Sequence, residues 1–155
     1  SLVNNQVTFK SSKPSVAKVK NNILYAKDNG SYSLTVSLNS NPALSSTESY
    51  VMSGIKKPKA NITSVKSKKK KQITVSWKNN IKNVTGYEIQ YSTSKKFTKK
   101  TTKTVTAKGK KVKSKKISKL KSKKTYYVRI RAYKNQSQGE KFYGKYSKTL
   151  KIKVK

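Results

Sequence analysis

Four residues at every second position, Tyr127, Arg129, Arg131 and Tyr133, alternate aromatic rings with guanidinium groups. In an extended segment that spacing puts all four on one face. Rings and guanidinium planes together can stack sugars or bases and bond anions. The same pattern also suits a plain ladder of cross-strand pairs on a solvated sheet, with Glu88 or Gln90 opposite Arg129. Both readings stand at this level. Tyr127, Arg129, Arg131 and Tyr133 are therefore a candidate glycan-binding face.

The second candidate chemistry is that of lysine. The 155 residues carry 39 Lys and Arg, only two of them Arg, against four acids, for a net charge of +35. Lysines crowd at Lys68, Lys69, Lys70 and Lys71, at Lys95, Lys96, Lys99 and Lys100, and at Lys119, Lys121, Lys123 and Lys124. Exposed lysine is commonly no more than a solvated coat that discourages strand edges from pairing. Gathered in one place, the same groups would attract polyanions weakly and in a salt-sensitive way. Nucleic-acid recognition favours the guanidinium fork, so two Arg speak against a specific nucleic-acid partner.

Other chemistry has little material. His and Cys are absent, which removes zinc clusters, Cys nucleophiles, His general bases and disulfides. Asp28, Glu48, Glu88 and Glu140 are isolated in sequence, so a carboxylate pair has no local support. There is no Gly-rich phosphate cradle. The expectation is a chain with no catalytic residues, no metal and no cofactor. Apolar runs such as Ile23-Leu24-Tyr25-Ala26 are too short to span a membrane as a helix. The chain opens with Ser1 and not Met, and reads as an excised piece of a longer protein that could itself be an enzyme. The triplets Asn61-Ile62-Thr63, Asn83-Val84-Thr85 and Asn135-Gln136-Ser137 match the N-glycosylation pattern, which a bacterial source would leave bare.

Charge also divides the chain. Residues 1–55 carry a net +3 and residues 56–155 a net +32, with Gly54 and Pro58 punctuating the change. We place two domains there, 1–55 and 56–155. In the second, Ile73, Val75 and Trp77 alternate with Thr74 and Ser76, and Tyr87, Ile89 and Tyr91 with Glu88 and Gln90. Tyr126, Val128, Ile130 and Ala132 alternate with Tyr127, Arg129, Arg131 and Tyr133. Segments near 60–65, 101–107, 112–117 and 150–154 complete seven short strands, and nothing sustains a helical period. The fold class is all-β: a Greek-key sandwich preceded by a small, incomplete β domain. Strand parity then places the first–second, third–fourth and fifth–sixth connections at one pole. Those connections carry the three lysine groups.

Here the residues resemble a family. Ile73-Thr74-Val75-Ser76-Trp77 is similar to the second strand of a fibronectin type III domain, whose Trp fills the core. Gly86–Tyr91 resembles its third strand. In Leu120-Lys121-Ser122-Lys123-Lys124-Thr125-Tyr126, a Leu precedes by six residues the tyrosine that in this family bonds backbone upstream. Ser122-Lys123 stands where the family often has Pro-Gly. The resemblance covers roughly 58–155. In the first part, Val7–Val19 with Leu24-Tyr25-Ala26 and Ser33–Val36 resembles the later half of a bacterial Ig-like group 2 domain. Asn21-Asn22 stands where a Gly is usual, and Thr47–Met52 offers a further strand.

Together these resemblances imply a non-catalytic spacer or accessory module pair of a secreted or cell-surface protein, Gram-positive in style. It would tether or position its parent at the cell wall. The partners would be cell-wall polyanions or glycans, bound weakly and electrostatically, and neighbouring domains of the parent. No specific nucleic acid and no membrane insertion are expected. An adhesin or wall-binding module that recognises anionic glycans through lysine-rich loops is the alternative.

Overall fold

The computed structural model describes residues 6–79 and 84–155; Asn83 of the second triplet lies outside the described residues. The chain forms two compact units. One comprises the residues up to Lys57 together with Gln136–Phe142, and the other Pro58–Asn135 with Tyr143–Lys155.

In the first unit, β1 (Val7–Ser11), β4 (Gly30–Leu38) and β5 (Ser45–Met52) form an antiparallel sheet in the order β1-β4-β5. β2 (Ala17–Lys20) and β3 (Ile23–Ala26) form a hairpin whose turn residues, Asn21 and Asn22, both have positive φ, 50° and 56°. Such a two-residue turn needs positive φ at both central positions, and Asn tolerates it at low cost among non-glycines. The core is small: Val16, Ala17 and Tyr32, flanked by Leu34 and Met52. The Asn22 side chain covers the outer edge of β1, donating from Nδ2 to the Val7 carbonyl at 3.0 Å. β5 forms the other edge of the sheet and lies open, with Val51 75% exposed.

Residues 136–142 correct the boundary read from the sequence, which assigned them to the second domain. Glu140 accepts hydrogen bonds from Lys18, Lys20 and Lys27 at 3.2–3.4 Å, and Gln136 Nε2 donates to the Ala26 carbonyl. An acid with three ammonium partners, plus a backbone bond, holds this segment in the first unit.

The second unit is a two-sheet sandwich. β6 (Ala60–Lys66), β7 (Ile73–Asn79) and β10 (Ser114–Ile117) form one sheet, ordered β10-β7-β6. β8 (Gly86–Ser92), β9 (Thr102–Lys108), β11 (Thr125–Asn135) and β13 (Leu150–Lys153) form the other. β13 pairs with β11, as the sequence reading anticipated; the three-residue β12 (Lys141–Tyr143) was not read from the sequence. Trp77, Tyr87, Ile89, Tyr126, Val128 and Ile130 are buried together in one cluster with Ile73, Val75 and Leu120. Period-2 alternation on β7, β8 and β11 produces this core, because each strand turns its apolar set inward.

Candidate polyanion-binding pole

The connections β6–β7, β8–β9 and β10–β11 supply the lysines, and hydrogen bonds show how they meet. Lys71 N–H donates to the Lys155 carbonyl at 2.9 Å, and Leu120 N–H to the Lys71 carbonyl at 3.0 Å. Lys123 N–H donates to the Val154 carbonyl at 2.8 Å, and the Ser122 hydroxyl to the Lys155 carbonyl at 2.9 Å. The β6–β7 connection, the β10–β11 connection and the C-terminal residues are therefore knitted together. The β8–β9 connection joins them at a cavity of about 340 Å³, where Lys100, Thr101 and Lys103 face Lys119 and Lys121 over Tyr91, Leu120 and Tyr126.

Of the lysines singled out from the sequence, Lys100, Lys119 and Lys121 line this cavity. Lys68–Lys71, Lys95, Lys96, Lys99, Lys123 and Lys124 lie exposed on the same three connections. Lys103 was not anticipated. It sits inside β9, where strand alternation and not a lysine run directs it to the cavity. Three of the lysines, Lys71, Lys119 and Lys123, have φ of 56°, 62° and 60°. Left-handed backbone is unfavourable for a residue with a Cβ, which is why a Gly suits the position of Lys123. The Tyr126 hydroxyl accepts the Lys121 N–H at 3.2 Å, so the tyrosine that follows Leu120 by six residues fixes the turn between them.

The outward side of β11 carries the cross-strand ladder, one of the two readings open from the sequence. Arg129 lies 4.0 Å from the centroid of the Phe97 ring and 4.1 Å from that of Tyr146, and Arg131 lies 3.7 Å from Tyr143 and 4.6 Å from Tyr146. Across the strand pair, Arg129 donates twice to Gln90 Oε1, at 2.7 and 3.0 Å. Arg131 donates to Glu88 Oε1 at 2.8 Å, and the Tyr146 hydroxyl donates to the same oxygen at 2.9 Å. Burial pushes the Tyr146 phenol up, and its hydrogen bond to the Glu88 carboxylate adds to the rise. Both guanidinium planes thus already face rings of the domain itself. This is a ladder of cross-strand pairs, with Gln90 opposite Arg129 and Glu88 opposite Arg131.

Tyr133 keeps the outward phase read from the sequence and not the exposure: it packs against Tyr143 and is only 3% exposed. The reason lies across the sheet. Tyr133 pairs with Gly86, and a Cβ there would stand 2.6 Å from the Tyr133 hydroxyl, so the missing side chain makes room for the ring. Tyr127 is half-buried on the same strand. Phe97, Tyr143 and Tyr146, which complete the ladder, are distant in sequence from Arg129 or lie beyond a turn. Only the Tyr-Gly-Lys-Tyr-Ser stretch at 143–147 hinted at two of them.

A Greek-key sandwich with a buried Trp on its second strand and a tyrosine-fixed turn before its sixth defines the immunoglobulin-like class of β module. Residues 56–145 match the model of the fibronectin type III domain, and the chain belongs to that family. Among solved structures, the fn3 domain of human contactin 1 is 17% identical, covering 67% of this chain and 82% of its own, with a TM-score of 0.52. The chicken CNTN1 FN1–FN3 domains are 23% identical, covering 96% of this chain and 53% of their own, with a TM-score of 0.51. At these identities the likeness concerns the fold. No curated protein matches the chain significantly. Fibronectin type III domains are generally non-catalytic modules.

Proposed function

We propose that this chain is a non-catalytic spacer and tether of a secreted bacterial protein, held at the cell wall by its lysine pole. The observation that carries the reading is the convergence of three lysine-bearing connections on the end of the second unit where Lys155 lies. Ammonium groups so gathered repel one another, and a polyanion relieves that repulsion while releasing its own counterions. The likeness of residues 6–38 to a bacterial Ig-like group 2 domain supports an exported, Gram-positive setting. The anionic polymers of such a wall are then the partners in reach.

A second reading, a binding module that recognises an anionic glycan, is favoured by the cavity among the pole's lysines. The Tyr127, Arg129, Arg131 and Tyr133 face supports it less, because its guanidinium groups are already paired. Co-sedimentation with purified walls, intact and stripped of their anionic polymers, tests the proposal. Retention on intact walls should fade as salt rises through physiological strength, and stripped walls should retain little protein. Equal retention on both would refute it.

A further inference from the structure

The geometry points to a discrete phosphate site inside the pole: the cavity between the β8–β9 and β10–β11 connections, shaped for one phosphate ester of a polyol or sugar. This deepens the proposed wall-binding reading and rests on it. Four lysines line the cavity: Lys100 from the β8–β9 connection, Lys103 from β9, and Lys119 and Lys121 from the β10–β11 connection. Its floor is made of the buried residues Tyr91, Leu120 and Tyr126. A single oxyanion attached to a short carbon chain matches that combination, with the charge at the rim and the carbons against the floor.

The backbone that carries the walls is fixed before any ligand arrives. Leu120 is buried in the core, which turns its neighbours Lys119 and Lys121 outward together. Their turn is pinned by the bonds from Leu120 N–H to Lys71 and from Lys121 N–H to the Tyr126 hydroxyl. On the other side, Thr101 lies in a tight turn closed by its own N–H to the Thr98 carbonyl, and its hydroxyl bonds Ser92 and Thr98. A preorganised site loses less on binding than a cluster of loose side chains.

The floor also selects among anions. Tyr91 and Tyr126 pack against each other and are only 9% and 8% exposed, so neither offers an open ring face. The guanidinium planes that could stack a base are enclosed by Phe97, Tyr143 and Tyr146. Nucleobases therefore find no platform here, whereas a polyol phosphate needs none.

The test is an NMR titration of the full chain with glycerol 3-phosphate and, separately, inorganic phosphate, at constant ionic strength. Amide and ring signals of Tyr91, Thr93, Leu120 and Tyr126 should shift and saturate together at one equivalent, with glycerol 3-phosphate tighter than phosphate. The double variant Lys103→Gln, Lys121→Gln should lose about tenfold in affinity, while Lys68–Lys71 replaced by Gln should change it less than about twofold. Shifts that never saturate, or equal losses in both variants, would overturn the site while leaving a diffuse polyanion tether intact. Tighter one-site binding of a nucleoside monophosphate than of glycerol 3-phosphate would overturn the ligand class. Failure of the wall co-sedimentation with saturating shifts retained would place the fault in the tether reading alone.

Discussion

The Tyr126 hydroxyl accepts the backbone N–H of Lys121 at 3.2 Å, tying the turn that carries the pole's lysines to a core strand. Replacing Tyr126 with Phe leaves the ring and removes this acceptor. The expected loss is about 1 kcal/mol by chemical denaturation, the usual worth of a partly buried hydrogen bond. Faster hydrogen exchange should be confined to the 118–124 turn. An unchanged midpoint would mean that the turn is held by its other bonds.

Trp77 is buried at the centre of the second unit, 5.1 Å from Tyr87 by ring centroids. Truncation to Ala removes a large volume from a closed core and should cost about 3–5 kcal/mol. Equilibrium unfolding followed by far-ultraviolet circular dichroism measures it. A cost below about 1 kcal/mol would place Trp77 outside the core that this fold assigns to it.

Lys123 has φ of 60°, the left-handed region. Gly at this position removes the steric penalty, against which its greater freedom in the unfolded chain works. A net gain of up to about 1 kcal/mol is expected for Lys123→Gly. Thermal unfolding would show it, and a lower melting temperature would contradict the assigned turn.

Hydrogen bonds from Lys20 and Lys18, with one from Lys27, hold the Glu140 carboxyl at about 2, against 4.5 for a free glutamate. A depressed folded pKa stabilises above the unfolded value, and the contribution is lost as pH falls from there through the folded one. The first unit should therefore weaken between about pH 5 and pH 2, and Glu140→Gln should flatten that slope. Melting curves of both proteins across this range decide the matter. Parallel slopes would show that Glu140 does not hold the 136–142 segment in place.

How much of this was legible follows the range of the interactions. Trp77, Tyr126 and Val128 declare themselves by period-2 alternation, a property of each strand alone. The lysine pole was legible too, because strand parity decides which connections share an end. Tyr133 was not, since its burial depends on the bare Cα of Gly86 in a strand more than forty residues earlier. The allegiance of residues 136–142 was hidden for the same reason: Lys18 and Glu140 are 122 residues apart. Lys141-Phe142-Tyr143 is too short to display any period, so β12 went unread. The enclosure of Arg129 by Phe97 and Tyr146 comes from a loop and a late turn that no local pattern links.

A charge-matched comparison tests most directly whether the pole, and not net charge, captures polyanions. Lys68–Lys71 belong to the pole, whereas Lys108 ends β9 and Lys110, Lys111 and Lys113 belong to the β9–β10 connection, where Gly109 N–H bonds the Thr85 carbonyl just before β8. Each set loses four charges on replacement with Gln. Affinity for purified wall polymer, measured over a salt series, should fall about tenfold at low salt for the first variant and less than about twofold for the second. Equal weakening of the two would contradict the pole and reduce the binding to overall charge.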